Sequence, residues 1–221
     1  MNQYKVYRTS ALVCCAVSAL FLLFYVQGVW SVVDETAFAW AFAIRQEALT
    51  VFFQALTFLG TGYATAPLAI ITAIVMLRKG CRAEALVIVV TLLGAFLVNE
   101  GMKAYFARPR PEGLHLIALP GSYSYPSGHA MVGSAFYLIL FDLIRFQLRH
   151  KNGARLLGIA GVVLALLLPV SRVYLGVHYA SDVLSGFAWA LTLYYFFRYG
   201  YGRWGKDKGT YASAPTIDAR S

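Results

Sequence analysis

The chain has 221 residues, enough for one compact unit, and 59% of them are hydrophobic while only 13% are charged. Because a soluble globular domain carries about 25% charged residues, this composition excludes an ordinary soluble domain and indicates a chain solvated by lipid. The net charge of +9 would favour nucleic acid or another acidic partner in a soluble protein, but here its distribution along the chain indicates a membrane topology.

Apolar runs along the sequence predict an all-α, polytopic fold with six transmembrane helices. In chain order the runs are 11–29, 63–77, 85–98, 130–144, 156–170 and 182–197. Several are shorter than the roughly 20 residues that a crossing needs, and each can extend through its polar flanks. Residues 31–62 mix apolar and charged side chains, which is typical of an amphipathic segment at the outer interface. The membrane domain therefore comprises residues 1–198, and a polar, mobile cytoplasmic tail follows over 199–221.

The positions of the basic residues predict the orientation of the chain. With six spans and a cytoplasmic N-terminus, 14 of the 19 lysines and arginines fall on the cytoplasmic side and 5 on the outer side. Since positive residues favour the cytoplasmic side, we expect both termini to be cytoplasmic in a plasma-membrane protein. Four of the outer residues lie near histidines, and an anionic ligand would explain them. They are Lys103, Arg108, Arg110 and Arg172.

Three polar segments, 103–111, 126–129 and 171–182, carry residue types suited to phosphate chemistry. The 41 residues from Ala130 to Val170 allow about two crossings at roughly 20 residues each, so the chain returns to the face that it left. All three segments are therefore predicted to meet at the outer face.

Two of these segments offer groups that could hold a phosphate. Ser127 and Gly128 precede the fourth apolar run, where free N–H groups at a helix start suit an anion, although Ser-Gly is equally typical of a simple helix cap. Lys103, Arg110 and Arg172 provide three cations for phosphate oxygens.

Snorkelling to lipid headgroups is the alternative explanation for basic residues on the outer side. It accounts for Arg45 and Arg108, but it does not explain cations that cluster with two histidines.

His178 and Asp182 are four residues apart, so a helix that starts near His178 would place both side chains on one face. A carboxylate can hold one imidazole nitrogen as N–H and leave the other free to attack. A structural histidine beside a helix-capping aspartate is the alternative interpretation of this pair.

Three ordered motifs with fixed internal gaps are present in the chain. They are Lys103-x6-Arg110-Pro111, Pro126-Ser127-Gly128-His129 and Ser171-Arg172-x5-His178-x3-Asp182. Together they resemble the signature of the type 2 phosphatidic acid phosphatase superfamily. Arg108-Pro109 precedes Arg110-Pro111, but the six-residue gap selects Arg110 and leaves Arg108 as a lesser candidate.

The resemblance implies a phosphatase that needs neither metal nor cofactor. His178 would attack phosphorus and form a phosphohistidine, Asp182 would orient His178, and His129 would protonate the leaving oxygen and then activate water. The phosphate-holding residues that it implies are Lys103, Arg110, Ser127, Gly128 and Arg172. Two histidines in opposite protonation states predict a bell-shaped pH–rate profile.

The implied substrate is a lipid phosphate in the bilayer, with no nucleic acid and no obligate protein partner. The superfamily includes phosphatases for phosphatidylglycerophosphate, undecaprenyl pyrophosphate and phosphatidic acid. It also includes soluble haloperoxidases, which six apolar runs disfavour. A lipid-to-lipid phosphotransferase and a non-enzymatic binder or transporter of anionic lipids remain as alternatives.

Overall fold

The computed structural model describes residues 3–113, 115–147 and 153–207, and every regular element in those ranges is helical. The first half of the fold comprises α1 (Gln3–Val26), α2 (Ser31–Ala43), α3 (Glu47–Phe58), α4 (Gly62–Arg78) and α5 (Arg82–Phe106). The second half comprises a π-helical turn (His129–Gly133) that continues into α6 (Ser134–Gln147), then α7 (Ala154–Tyr174) and α8 (Ala180–Asp207). The prediction of an all-α fold is confirmed.

Three helices of the described ranges, α1, α5 and α7, are long and apolar enough to cross a membrane. Helices α3 and α4, which meet at a bend of 46°, are together also long and apolar enough to cross a membrane. If this bent pair forms a single span, the described ranges contain four spans. The predicted fourth and sixth spans lie in the π-helical turn with α6 and in α8, so the count of six stays a prediction. Large apolar side chains such as Leu97 and Leu166 face outward, as expected of a surface in contact with lipid.

The predicted amphipathic segment 31–62 forms two helices, α2 and α3, and the bend that leads into α4. The Phe53 side chain of α3 is buried against the Tyr174 ring at the end of α7, with 4.7 Å between ring centroids. This segment is therefore packed against the bundle, close to the third polar segment of the sequence.

Small side chains allow the central helices to approach one another closely. Ala95 of α5, Ala135 of α6 and Ala190 of α8 form one fully buried cluster. Helix α1 packs mainly on α8, where the Ser18 and Thr192 hydroxyls lie 3.1 Å apart in a buried hydrogen bond. Because lipid is as apolar as the side chains it replaces, such packing and hydrogen bonds hold membrane helices together.

The two ends of the bundle carry different polar groups. At one end Asp142 is paired with Arg145 and Arg198, at 2.7 Å each, and Tyr201 donates a hydrogen bond to Glu84 at 2.7 Å. The end of α5, the start of α6, the end of α7 and the start of α8 meet at the other end, where the predicted site residues lie. The α8 helix continues to Asp207, past the predicted start of the tail at 199, and residues 208–221 lie outside the described residues.

Candidate active site

The end of α5 places Lys103 in the interior. Ala107 adopts a left-handed backbone (φ 44°) that ends the helix, and the prolines that follow cannot resume it. The Lys103 side chain, in the last turn, is buried and donates to Glu100 Oε1 and Ser122 Oγ, at 3.3 Å each. The ammonium group is thus held at the edge of the site by flexible polar partners.

Arg110 reaches back from the loop to the start of the third polar segment. Its Nη1 atom donates to the Val177 carbonyl at 2.8 Å and lies 3.1 Å from His178 Nε2. Its Nε atom donates to the Ser122 carbonyl at 2.8 Å. Hydrogen bonds to two backbone carbonyls therefore fix the Arg110 guanidinium beside the Nε2 atom of His178.

Ser127 and Gly128 lie before the π-helical turn that starts at His129. Gly128 is the N-cap of this turn, and the buried Ser127 hydroxyl has no partner among the described residues, so Ser127 itself does not cap the helix. A Cβ atom on Gly128 would stand 3.7 Å from Lys103 Nζ and 3.3 Å from Asn99 Oδ1. The Gly128 backbone therefore lies against the Lys103 ammonium group.

Thr57 of α3 makes hydrogen bonds with both Arg172 and His129. The Thr57 hydroxyl accepts a 2.8 Å hydrogen bond from Arg172 Nη1, and the His129 ring bonds to the Thr57 backbone. Arg172 Nε and His129 Nε2 are buried without a hydrogen-bond partner in the described part of the chain. Gly60 closes the other side, since a Cβ there would lie 2.6 Å from His129 Cδ2.

These groups form a cationic cluster with unused hydrogen-bonding capacity. The positive charges of Lys103, Arg110 and Arg172 lie near enough to oppose one another. The unpaired Ser127 Oγ, His129 Nε2 and Arg172 Nε atoms belong to the same group of residues. Buried polar atoms are ordinarily paired, so unpaired ones beside like charges indicate a place for an anion.

His178 and Asp182 form a buried pair at the start of α8. His178 Nδ1 lies 3.3 Å from Asp182 Oδ2, although His178 precedes the first helical residue. The Nε2 atom of His178 points to Arg110. Burial lowers the pKa of His178 to about 4, so the imidazole is neutral at ordinary pH.

Arg108 is not a headgroup contact, which corrects the snorkelling interpretation. Its Nη1 atom donates to Asp182 Oδ1 at 2.5 Å, and its Nη2 atom donates to Asp34 Oδ2 at 2.8 Å. Only 16% of its side chain is exposed. The sequence could not distinguish this role, because the partner Asp34 lies on α2 in the segment predicted to be interfacial.

Four further residues contact the predicted ones and were missed by the sequence reasoning: Asp34, Thr57, Asn99 and Ser124. Asn99 Nδ2 donates to the Pro126 carbonyl at 3.1 Å, and Ser124 Oγ donates to Asp182 Oδ2 at 2.5 Å. The proximity of Ser124 to the Pro-Ser-Gly-His motif was the one available signal. Hydroxyls and single carboxylates within apolar helices carry no spacing that marks them.

A groove of about 620 Å³ opens beside the cluster, between the last turns of α5 and the loop 120–123. Glu100 and Lys103 line it on one side and Tyr123 on the other. In the described ranges, no group of three or more His, Cys, Asp or Glu is arranged to hold a metal ion, and the three cysteines are free.

Comparison with known proteins assigns the family. The profile of the PAP2 superfamily matches residues 84–206, which include most of the site. The chain is 34% identical over 166 residues to phosphatidylglycerophosphatase B of Bacillus subtilis. This alignment covers 73% of this chain and 80% of the relative. It is 31% identical over 121 residues to the undecaprenyl-diphosphatase of Sulfolobus acidocaldarius, covering 52% and 54% of the two chains.

A solved structure shares the fold. The transmembrane PAP2-type phosphatidylglycerolphosphate phosphatase from Bacillus subtilis superposes with a TM-score of 0.72 and 28% identity, over 94% of this chain and 98% of that one. The family match and the shared fold agree with the motifs of the site. The chain therefore belongs to the PAP2 superfamily and is a membrane phosphatase of that family.

Proposed function

We propose that the chain hydrolyses a lipid phosphate at the outer face of the plasma membrane through a phosphohistidine intermediate, with six spans and both termini cytoplasmic. Phosphatidylglycerophosphate is the first candidate substrate, because the relative named for it matches more of this chain, at higher identity, than the undecaprenyl-diphosphatase. Undecaprenyl pyrophosphate and phosphatidic acid are the other candidates.

The cationic cluster with unpaired buried atoms carries this proposal. A phosphate placed among Lys103, Arg110 and Arg172 would relieve the repulsion between their charges and would pair Ser127 Oγ and Arg172 Nε. Arginine offers a planar fork that matches phosphate oxygens, and fixed cations offset the charge of a five-coordinate transition state.

The orientation of His178 supports its role as nucleophile. With Nδ1–H donated to Asp182, the Nε2 lone pair faces Arg110 and the phosphate position. Nε2 attacks phosphorus, the bond from phosphorus to the lipid oxygen breaks, and its electron pair stays on that oxygen. The product of this step is a phosphoryl group on His178 Nε2.

His129 supplies and removes the proton in the two steps. In this step its Nε2 atom, unpaired among the described residues, donates the proton that converts the leaving oxygen into the lipid hydroxyl. Burial and the charge of Arg172 lower the pKa of His129, which makes its protonated form a stronger acid toward that oxygen. The neutral imidazole then takes a proton from water as that water attacks phosphorus, and the bond from phosphorus to His178 breaks. Inorganic phosphate leaves, and both histidines return to their starting states.

Phosphate release from a panel of lipids tests the proposal. The purified protein in detergent is given phosphatidylglycerophosphate, phosphatidic acid and undecaprenyl pyrophosphate, each with and without a chelator. We expect turnover of at least one lipid, unchanged by the chelator. Binding without turnover would instead support an anionic-lipid binder, and transfer of phosphate to a second lipid would support a phosphotransferase.

The pH dependence of kcat/KM is expected to be bell-shaped, with its acid limb below the ordinary histidine range. The neutral form of His178 attacks, and a pKa lowered to about 4 keeps that form populated until the pH falls to that value. Activity should fall again as His129 loses its proton; burial and the charge of Arg172 lower the pKa of His129, so in the free enzyme this limb also lies below the usual histidine range. The profile is measured with a short-chain lipid phosphate; an acid limb at the usual value of about 6.5 would contradict the effect of burial.

Replacing Gly60 with alanine is expected to lower kcat by about 10- to 100-fold, because displacement of a reacting group by about 1 Å has effects of this size. The new Cβ would lie 2.6 Å from His129 Cδ2 and would push the ring out of place. Gly62→Ala is the matched control, since a Cβ there meets nothing within 4 Å and its turnover should match wild type. Equal turnover in the two variants would show that the Gly60 contact does not position His129.

A further inference from the structure

Both carboxylate oxygens of Asp182 make polar contacts, and His178 provides only one of them. Oδ2 lies 3.3 Å from His178 Nδ1 and accepts hydrogen bonds from Ser124 Oγ at 2.5 Å and the Tyr179 amide at 3.0 Å. Oδ1 accepts from Arg108 Nη1 at 2.5 Å. The orientation of the carboxylate is therefore set at both oxygens, and Arg108 is the partner that holds Oδ1.

The Arg108 guanidinium is itself fixed by a second carboxylate. Nη2 donates to Asp34 Oδ2 at 2.8 Å, and the Cζ atom lies 3.9 Å from the centroid of the Tyr179 ring. Nη1 is shared between Asp182 and Ser181 Oγ, at 2.5 and 2.7 Å. If Arg108 turned to a phosphate, it would give up its ion pairs with two buried carboxylates.

Asp34 connects α2 to the start of α8. Its Oδ1 atom accepts from the Ser181 amide at 2.8 Å, and Oδ2 accepts from Ser181 Oγ at 2.7 Å. Only 6% of its side chain is exposed, whereas the adjacent Glu35 is exposed. A buried carboxylate that accepts from both the backbone and the guanidinium fixes Arg108 relative to the helix that carries Asp182.

We infer that Asp34 and Arg108 are positioning residues for the reaction: they hold the Asp182 carboxylate at the angle that keeps His178 Nε2 directed at phosphorus. The inference rests on the proposed role of His178 as nucleophile. Asp34 also shares the charge of Arg108, so that Asp182 is not neutralised by the guanidinium alone and can still balance the charge of the phosphorylated imidazole. In the described part of the chain, Asp34 bonds to Arg108 and Ser181 and not to the phosphate-holding cations.

The geometry therefore assigns Asp34 an effect on kcat that is separate from phosphate binding. Asp34→Asn is expected to lower kcat roughly tenfold, as the loss of outer hydrogen-bond partners does elsewhere. KM and the inhibition constant for inorganic phosphate should stay within about twofold of wild type, whereas Arg110→Gln should weaken inhibition by phosphate. Glu35→Gln, the neighbouring carboxylate on the same helix, should match wild type.

A double-mutant cycle tests whether Asp34 acts through Arg108. If it does, Asp34→Asn combined with Arg108→Gln should be no slower than Arg108→Gln alone, because residues that act as one unit are non-additive. All rates are expressed per folded molecule, taken from the monodisperse fraction in detergent. Wild-type turnover of the lipid panel tests the proposed function itself, so failure of that function is distinguished from failure of this inference.

Three results would overturn the inference. One is an Asp34→Asn enzyme whose kcat per folded molecule equals that of Glu35→Gln, which would leave the pair a structural role only. Another is a loss of phosphate inhibition as large as that of Arg110→Gln, which would place Arg108 in the phosphate site. Full additivity in the cycle would separate Asp34 from Arg108.

Discussion

Replacing His178 with alanine is expected to reduce lipid-phosphate turnover by at least about 10⁴-fold, the size of effect seen when a nucleophile is removed. The imidazole is buried, neutral and directed by Asp182 toward Arg110. Phosphate release is measured per folded molecule. Binding of inorganic phosphate should persist, because the cationic residues are unchanged.

His115→Ala is the matched control for the loss of a histidine at the end of the bundle that carries the candidate site. Its Nε2 atom lies 2.8 Å from the Pro111 carbonyl, and we assign it no part in the reaction. Its turnover should stay within about threefold of wild type. Labelled phosphate should be trapped on the wild-type protein and be absent from His178→Ala; a label that persists in the variant would place the nucleophile elsewhere.

The sequence motifs predicted the residues of the site better than the contacts between them. The spacing between His129 and Arg172 allows two crossings, so the meeting of both at one end of the bundle could be predicted from chain length and bilayer thickness. The fold class follows equally from the apolar runs. Both features can be predicted without knowing any contact between side chains.

Contacts made across the bundle could not be predicted in the same way. Thr57, in the last turn of α3, and Gly60, in the bend before α4, belong to no motif, yet the packing of this segment brings them against Arg172 and His129. Asp34 lies in a segment whose mixed composition predicts an interface, but one buried carboxylate is enough to tie α2 to the start of α8. Such long-range pairs depend on helix packing, which has no local sequence signal.

Arg108 is a second example of a side chain whose contacts could not be predicted from the sequence. Its place beside Arg110 in the sequence indicated either a second phosphate contact or a snorkelling side chain. Two buried carboxylates, each 74 positions away along the chain, pair with its guanidinium. These ion pairs overturn the snorkelling interpretation and support the positioning role inferred for Arg108. Asp182 thus contacts both the proposed nucleophile His178 and, through Arg108, the Asp34 side chain of α2.

Asp182→Asn is accordingly expected to lower kcat by about 10³- to 10⁴-fold, with a much smaller change in KM. The carboxylate accepts from His178 Nδ1, from Ser124 and from Arg108. An amide nitrogen in place of Oδ2 would donate to Nδ1, favour the tautomer with the proton on Nε2, and remove the lone pair that attacks phosphorus. The turnover per folded molecule and the melting temperature are measured together.

Asp142→Asn is the matched control, because Asp142 is also a buried aspartate, paired with Arg145 and Arg198 at the opposite end of the bundle. Both variants remove one charge from a buried ionic network, so both should lower the melting temperature. Only Asp182→Asn should lower kcat per folded molecule. If the two variants lost stability and kept the same turnover, Asp182 would be a structural carboxylate, and the direction of the His178 ring would have to come from Ser124 and Arg110 alone.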